Sequence, residues 1–187
     1  MNCLENWFCA SGIWRHITKH RILPWLLAGV DLGDHILEIG AGSGAATADL
    51  SRRARVTSLE YDANSVARLA SRFKNSNIDI VQGDAASLPF ADQSFSSAVA
   101  VLVLHHLPSI ALQDQALAEI FRILRPGGVF LALEIVDTWL HRVTHFKSTF
   151  VPLVADALPS RLARIGFSDA RIAFSRGVFR IQVLRPK

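Results

Sequence analysis

A chain of 187 residues, half of them apolar, can bury one good core and is too short for two ordinary domains. Its net charge of +4 is a modest surplus; Cys3 and Cys9 fit no zinc or redox spacing, so neither a disulfide framework nor a metal is expected, and a reducing cytoplasm suits the chain. Much of the surplus sits late, at Arg161, Arg164, Arg171, Arg176, Arg180, Arg185 and Lys187 against Asp169, a set so dispersed that it reads as solvated surface rather than a nucleic-acid or membrane patch.

From Ser11 to His20 the pattern predicts a helix with Ile13, Trp14 and Ile17 on one face and Arg15, His16, Lys19 and His20 on the other. Pro24 suits the first turn of a second short helix through Ala28, closed by Gly29. The basic stretch from Arg15 to Arg21, followed by an apolar one, resembles a signal peptide. Pro24 interrupts that run, however, and Asp31 stands where small cleavage-site residues belong. Nothing approaches the ~18 uninterrupted apolar residues of a spanning helix. With Trp7, Phe8 and Trp25, the first 34 residues form an aromatic helical segment open to three readings. It is a lid whose Trp7, Phe8 and Trp14 meet substrate, an amphipathic helix making peripheral membrane contact, or a helix packed on the sheet by its tryptophans.

Ile36 to Thr47 reads Ile-Leu-Glu-Ile-Gly-Ala-Gly-Ser-Gly-Ala-Ala-Thr, the pattern of strand, tight turn and helix start. Such a turn leaves backbone N–H groups beside glycines that let a ligand approach closely, so a nucleotide-like cofactor is expected across it. Gly40, Gly42 and Ala45 also satisfy the loose dinucleotide fingerprint. Glu38 weighs against that choice: a carboxylate there repels a pyrophosphate and suits a ligand carrying an ammonium and a sulfonium, as S-adenosylmethionine does. With Glu38 included, Glu-Ile-Gly-Ala-Gly-Ser-Gly resembles the first motif of class I S-adenosylmethionine-dependent methyltransferases.

A helix from about Ala45 to Arg53 then leads to a strand from Arg55 to Leu59 ending in Glu60, a parallel crossover unit. Glu60 lies 20 residues beyond Gly40, where an acid can accept hydrogen bonds from the ribose of any adenosine cofactor. Asp62 or Asn64 caps the next helix, whose face carries Val66, Leu69, Ala70 and Phe73. A strand from Ile78 to Val81 precedes Gln82-Gly83-Asp84-Ala85, where the resemblance implies Asp84 on the adenine amine and the Ala85 N–H on its ring. Leu88 to Phe95 resembles the type-11 methyltransferase domain, a group that includes quinone-ring methyltransferases. Ser96 stands where that group carries aspartate, a departure expected to cost local loop bonding.

The apolar run Ser97 to Leu104 predicts a central strand that delivers His105 and His106 to its carboxyl end. Ser109 caps a helix carrying Leu112, Ala116, Leu117, Ile120, Phe121 and Leu124, and Arg125-Pro126-Gly127-Gly128 turns the chain into a strand from Val129 to Ile135. Thr138 to Leu158 has no clear pattern. Leu158 to Ile165 reads as a helix partly broken by Pro159, and Ala170 to Ser175 with Val178 to Leu184 as a closing hairpin.

The resemblance covers about Ile36 to Leu184 and implies a Rossmann-like α/β fold. That fold has a seven-stranded, mostly parallel sheet with helices on both faces and one antiparallel strand, as a methyltransferase domain over 35–187 following the helical segment 1–34. It also implies cofactor contacts from Glu38, Gly40, Gly42, Gly44, Glu60, Tyr61, Asp84, Ala85 and Val101. Methyl transfer asks a protein for alignment and water exclusion, and for a general base only when the nucleophile must lose a proton. His105 and His106 are the base candidates by position, although a histidine there can equally bond a neighbouring carbonyl. Trp139, in the segment after the fifth strand, joins the aromatic N-terminus as a substrate candidate. No Asn-Pro-Pro-Tyr motif follows the fourth strand and no cysteine lies in the core, which argues against nucleic acid and for a small molecule with an apolar or aromatic portion. Two other functions use the same residues: a nicotinamide-dependent oxidoreductase and a cofactor-binding module without transfer activity.

Overall fold

The computed structural model describes residues 11–144 and 148–187. Seven strands form one sheet: β1 (His35–Ile39), β2 (Arg55–Glu60), β3 (Ile78–Gln82), β4 (Phe95–Val101), β5 (Leu124–Ile135), β6 (Ser168–Ser175) and β7 (Val178–Leu184). Their order is β3-β2-β1-β4-β5-β7-β6, and β7 alone runs against its two neighbours. The chain winds outward from β1 to β3 and then restarts beside β1 with β4. A crevice therefore opens outside the carboxyl ends of β1 and β4, where open α/β sheets take their ligands.

β1, β4 and β5 are nearly continuous apolar runs because both sheet faces are covered. On one face Leu37, Ala98, Phe130 and Ile181 pack with α5 (Ile110–Ile123) and α7 (Leu158–Ile165). On the other, Ile36, Val99 and Leu131 pack with Leu23, Leu26 and Leu27 of the N-terminal segment and Leu50 of α3 (Thr47–Leu50).

The N-terminal segment is one continuous helical run, not two helices. α1 (Gly12–Ile17) passes through a π-helical turn (Thr18–Ile22) into α2 (Leu23–Leu26), and Pro24 sits in the first turn of that last piece. Its apolar residues divide along its length: Ile13 is exposed and α1 buries nothing, whereas Leu23, Leu26 and Leu27 are core.

Other expectations shift for identifiable reasons. The helix expected from Ala45 to Arg53 holds regular geometry only over α3, because the chain leaves Gly44 in turns. In α4 (Ala63–Arg72), capped by Asp62 rather than Asn64, Leu69 is buried but Ala70 faces solvent. β4 ends at Val101 instead of Leu104, because Leu102 adopts φ 59° and breaks the extended backbone. Pro159 does not break α7; it occupies the first turn, where its missing N–H costs nothing.

Ser96 keeps dense local bonding, since its hydroxyl accepts from His35 N at 2.9 Å and bonds the Leu32 and His35 carbonyls at 2.8 and 2.9 Å. Three of the late arginines are not solvated surface. Arg185 Nη1 donates to the carbonyls of Phe121, Arg122 and Leu124 and so caps α5, Arg161 is buried against Asp114 and Gln113, and Arg180 donates to Trp25 O and Ala28 O. Arg180 thereby ties the end of the N-terminal helix to β7.

Candidate functional site

The turn after β1 carries three glycines at φ 67°, 55° and 74°, values that side chains rarely tolerate. Each glycine answers a different neighbour. A Cβ at Gly40 would strike the Val103 side chain at 2.5 Å, and one at Gly44 would strike Phe73 at 2.6 Å and Leu69 at 2.9 Å. At Gly42 it would meet only the Gly40 carbonyl, at 4.0 Å. The open backbone face is therefore at Gly42, while Gly40 and Gly44 pack the turn onto the β4 loop and α4.

Three acids surround this turn in unlike surroundings. Glu38 is 4% exposed, and its Oε2 accepts from the hydroxyls of Thr47 and Ser58, both at 2.6 Å. Burial holds its carboxyl above the ordinary value; the two hydroxyl bonds oppose that shift and the charge of Glu60 adds to it. Glu60, at the end of β2, accepts Gly42 N at 2.8 Å on Oε2 and Tyr61 N and Asp62 N at 2.9 and 3.1 Å on Oε1. Oε2 retains acceptor capacity for one more donor. Asp84, exposed beyond β3, accepts Ala86 N at 2.8 Å and pairs with Ser87 in an isolated bridge. Ala85 and Val101 are half-buried, and Tyr61, 74% exposed, enters by its backbone N–H.

His105 and His106 lie on a 3₁₀ turn (Leu104–His106) after β4. His105 is 2% exposed and donates Nδ1–H to Glu134 Oε2 at 2.6 Å, while Glu134 Oε1 accepts Val103 N at 3.1 Å and Leu104 N at 2.8 Å. One carboxylate thus fixes the loop that packs on Gly40, and it sets the histidine tautomer with the proton on Nδ1. His106 is half-buried, its ring tilted 48° against that of His105 with centroids 4.2 Å apart, and its Nδ1 lies 3.2 Å from Thr149 O. Glu134 was not anticipated. Its signal is a lone charge in the buried run Phe130–Ile135, within Leu-Glu-Ile, the same tripeptide that carries Glu38 at the end of β1.

Gly42, Glu60, Asp84, Val101 and the histidines thus gather at the carboxyl ends of adjacent parallel strands. Trp7 and Phe8 lie outside the described residues. Trp14 is half-buried on α1, and Arg15 beside it acts electrostatically on Arg72, whose guanidinium bonds the Ser43 carbonyl of the glycine turn. Trp139 opens α6 (Trp139–Thr144) and is 76% exposed. An adenosine-type ligand fits this arrangement: there is open backbone at Gly42, an acid with a remaining lone pair after β2, and an acid followed by a backbone N–H after β3.

A family model described as methyltransferase domain matches residues 37–132. The chain is 35% identical to a fatty-acid O-methyltransferase of Mycolicibacterium smegmatis over 53% of this chain and 36% of that protein. It is 28% identical to a demethylmenaquinone methyltransferase of Corynebacterium kroppenstedtii over 89% of this chain and 67% of that one. Its fold matches that of N-methyltransferase NodS from Bradyrhizobium japonicum, in complex with S-adenosylhomocysteine, at a TM-score of 0.75 and 19% identity over 97% of this chain and 92% of that one. The chain spans less than half the length of the first curated relatives it matches. The matched region holds the glycine turn, Glu60, Asp84 and the histidines, and on this ground the chain belongs to the methyltransferase domain family, whose cofactor is S-adenosylmethionine.

Proposed function

We propose that this chain transfers a methyl group from S-adenosylmethionine directly to a small molecule with an apolar or aromatic portion. The observation that carries the reading is the open backbone at Gly42, bonded to Glu60 and set beside Asp84 at the carboxyl ends of β1 to β3. In this reading Glu60 Oε2 takes a ribose hydroxyl, Asp84 and the Ala85 N–H take the adenine, and Tyr61 and Val101 flank the ligand. Glu38 lies beneath the turn and acts as a negative field on the ammonium and sulfonium end. When bound, the cofactor supplies a methyl on a positively charged sulfur, open to displacement in line with the leaving sulfur.

The chain then has to align the acceptor and exclude water. The N-terminal helix serves as the lid, with Trp14 and Trp139 facing substrate. Where the acceptor must lose a proton, His105 is the base: Glu134 holds its Nδ1–H, which puts the lone pair on Nε2, and the His106 ring packs beside it. The fatty-acid and demethylmenaquinone methyltransferases among the relatives support an apolar acceptor for this chain.

Thermal shift with S-adenosylhomocysteine and with NADH tests the cofactor reading. The expected result is a raised melting temperature with the first alone, lost in Asp84→Ala. A larger response to NADH would contradict the reading.

A further inference from the structure

The large apolar side chains that the fold leaves exposed among the described residues all sit at one pole. Tyr61 follows the end of β2, and Ile110 opens α5 just past the 3₁₀ turn after β4. Trp139 and Val143 share α6 one turn apart, and that helix is tied to the end of β5 by His141 Nδ1 at 2.6 Å from Val136 O. Val154 follows Val151, whose N–H donates to His105 O at 2.8 Å. Phe174 lies near the end of β6, paired through Phe179 of β7 with Glu134. Ile13 stands exposed at the start of the N-terminal helix.

Scattered exposed apolar residues are ordinary, but their confinement to the rim of one site is not. The same pole carries charge of one sign along a whole element. Residues 11–30 contain no acid, and Arg15, His16, Lys19, His20 and Arg21 are all exposed on the part of the run that precedes the core residues Leu23 and Leu26. Exposed Asp62, Asp84 and Asp156 lie elsewhere on the pole, and Asp137 is paired with Arg142.

We infer that this pole docks on an anionic lipid bilayer, with the cationic helix against the headgroups and the apolar rim in the interface. The site mouth then faces the phase into which an apolar substrate partitions. The inference rests on the apolar-substrate reading above and extends it to where the substrate is met.

The test is co-sedimentation of the full chain with vesicles of phosphatidylcholine alone or mixed equally with phosphatidylglycerol, at low and high salt. Pelleting with the anionic vesicles at low salt, weakened by salt and by neutral lipid, is expected. Lys19→Glu with Arg21→Glu, and separately Val143→Asp with Phe174→Asp, should each weaken partition roughly tenfold or more, while the thermal shift with S-adenosylhomocysteine is retained. Absence of pelleting at low salt overturns the inference, as does pelleting that neither pair weakens. So does a dimer in sedimentation velocity that Val143→Asp with Phe174→Asp turns to monomer without vesicle binding in the parent, since that gives the pole to a second copy. Partition is read without turnover, so its failure and the failure of methyl transfer are separate results.

Discussion

The N–H of Gly42 donates to Glu60 Oε2 at 2.8 Å, so the acid assigned to the ribose also fixes the one glycine of the turn after β1 whose backbone faces open space. Two effects on the cofactor therefore share one side chain. Glu60→Ala should weaken S-adenosylhomocysteine binding by at least the 5- to 150-fold that follows from losing about 1 to 3 kcal/mol. Glu60→Gln, which keeps an acceptor for Gly42, should lose less. Calorimetry on both folded variants checks this, and equal losses would mean that the turn does not depend on the bond.

Glu38 predicts a trade between stability and binding. A carboxyl whose value is raised on folding contributes stability below its unfolded value, 4.5, and loses that contribution as pH rises through the raised value. Glu38→Gln removes the buried charge while its amide oxygen still accepts from Thr47 and Ser58. The variant should therefore gain on the parent as pH rises from 5 to 8, and bind S-adenosylmethionine less well. Urea unfolding at the two pH values measures the first effect; a difference that shrinks as pH rises would contradict it.

Glu134 separates structure from chemistry at His105. Glu134→Ala leaves His105 Nδ1 and two loop N–H groups without their acceptor and should cost about 3 to 5 kcal/mol. Glu134→Gln can keep the loop bonds on its amide oxygen while donating to Nδ1, which puts the histidine proton on Nε2. If His105 is the base, this variant should remain folded and lose roughly 10²- to 10⁴-fold in kcat with a changed pH–rate profile. An unchanged kcat would leave His105 a structural residue.

Removing residues up to His20 tests the lid. The truncation spares Leu23, Leu26 and Leu27, which carry the core packing of that segment. It should stay folded, hold S-adenosylhomocysteine within a few fold and lose most transfer activity; full activity would reject the lid.

The first three strands, the glycine turn and the acids after β2 and β3 were legible because each is local: an apolar run, a break and a polar residue at its end. Glu134 was not, since its meaning lies in a partner 29 residues away in sequence and its strand reads only as apolar. The end of β4 was misplaced for a related reason: Leu102 and Val103 look like strand, and only the packing of Val103 on Gly40 shows why the backbone leaves the sheet there. The late arginines read as surface because charge alone does not reveal the carbonyls that Arg180 and Arg185 cap.

Transfer of labelled methyl from S-adenosylmethionine into an extract of small molecules, with the product identified by mass spectrometry, tests the central claim most directly. The account predicts label in an apolar or aromatic small molecule, matched by an equal yield of S-adenosylhomocysteine and abolished in Asp84→Ala. A protein that binds S-adenosylhomocysteine yet labels nothing above the blank would contradict it and leave a binding module without transfer activity.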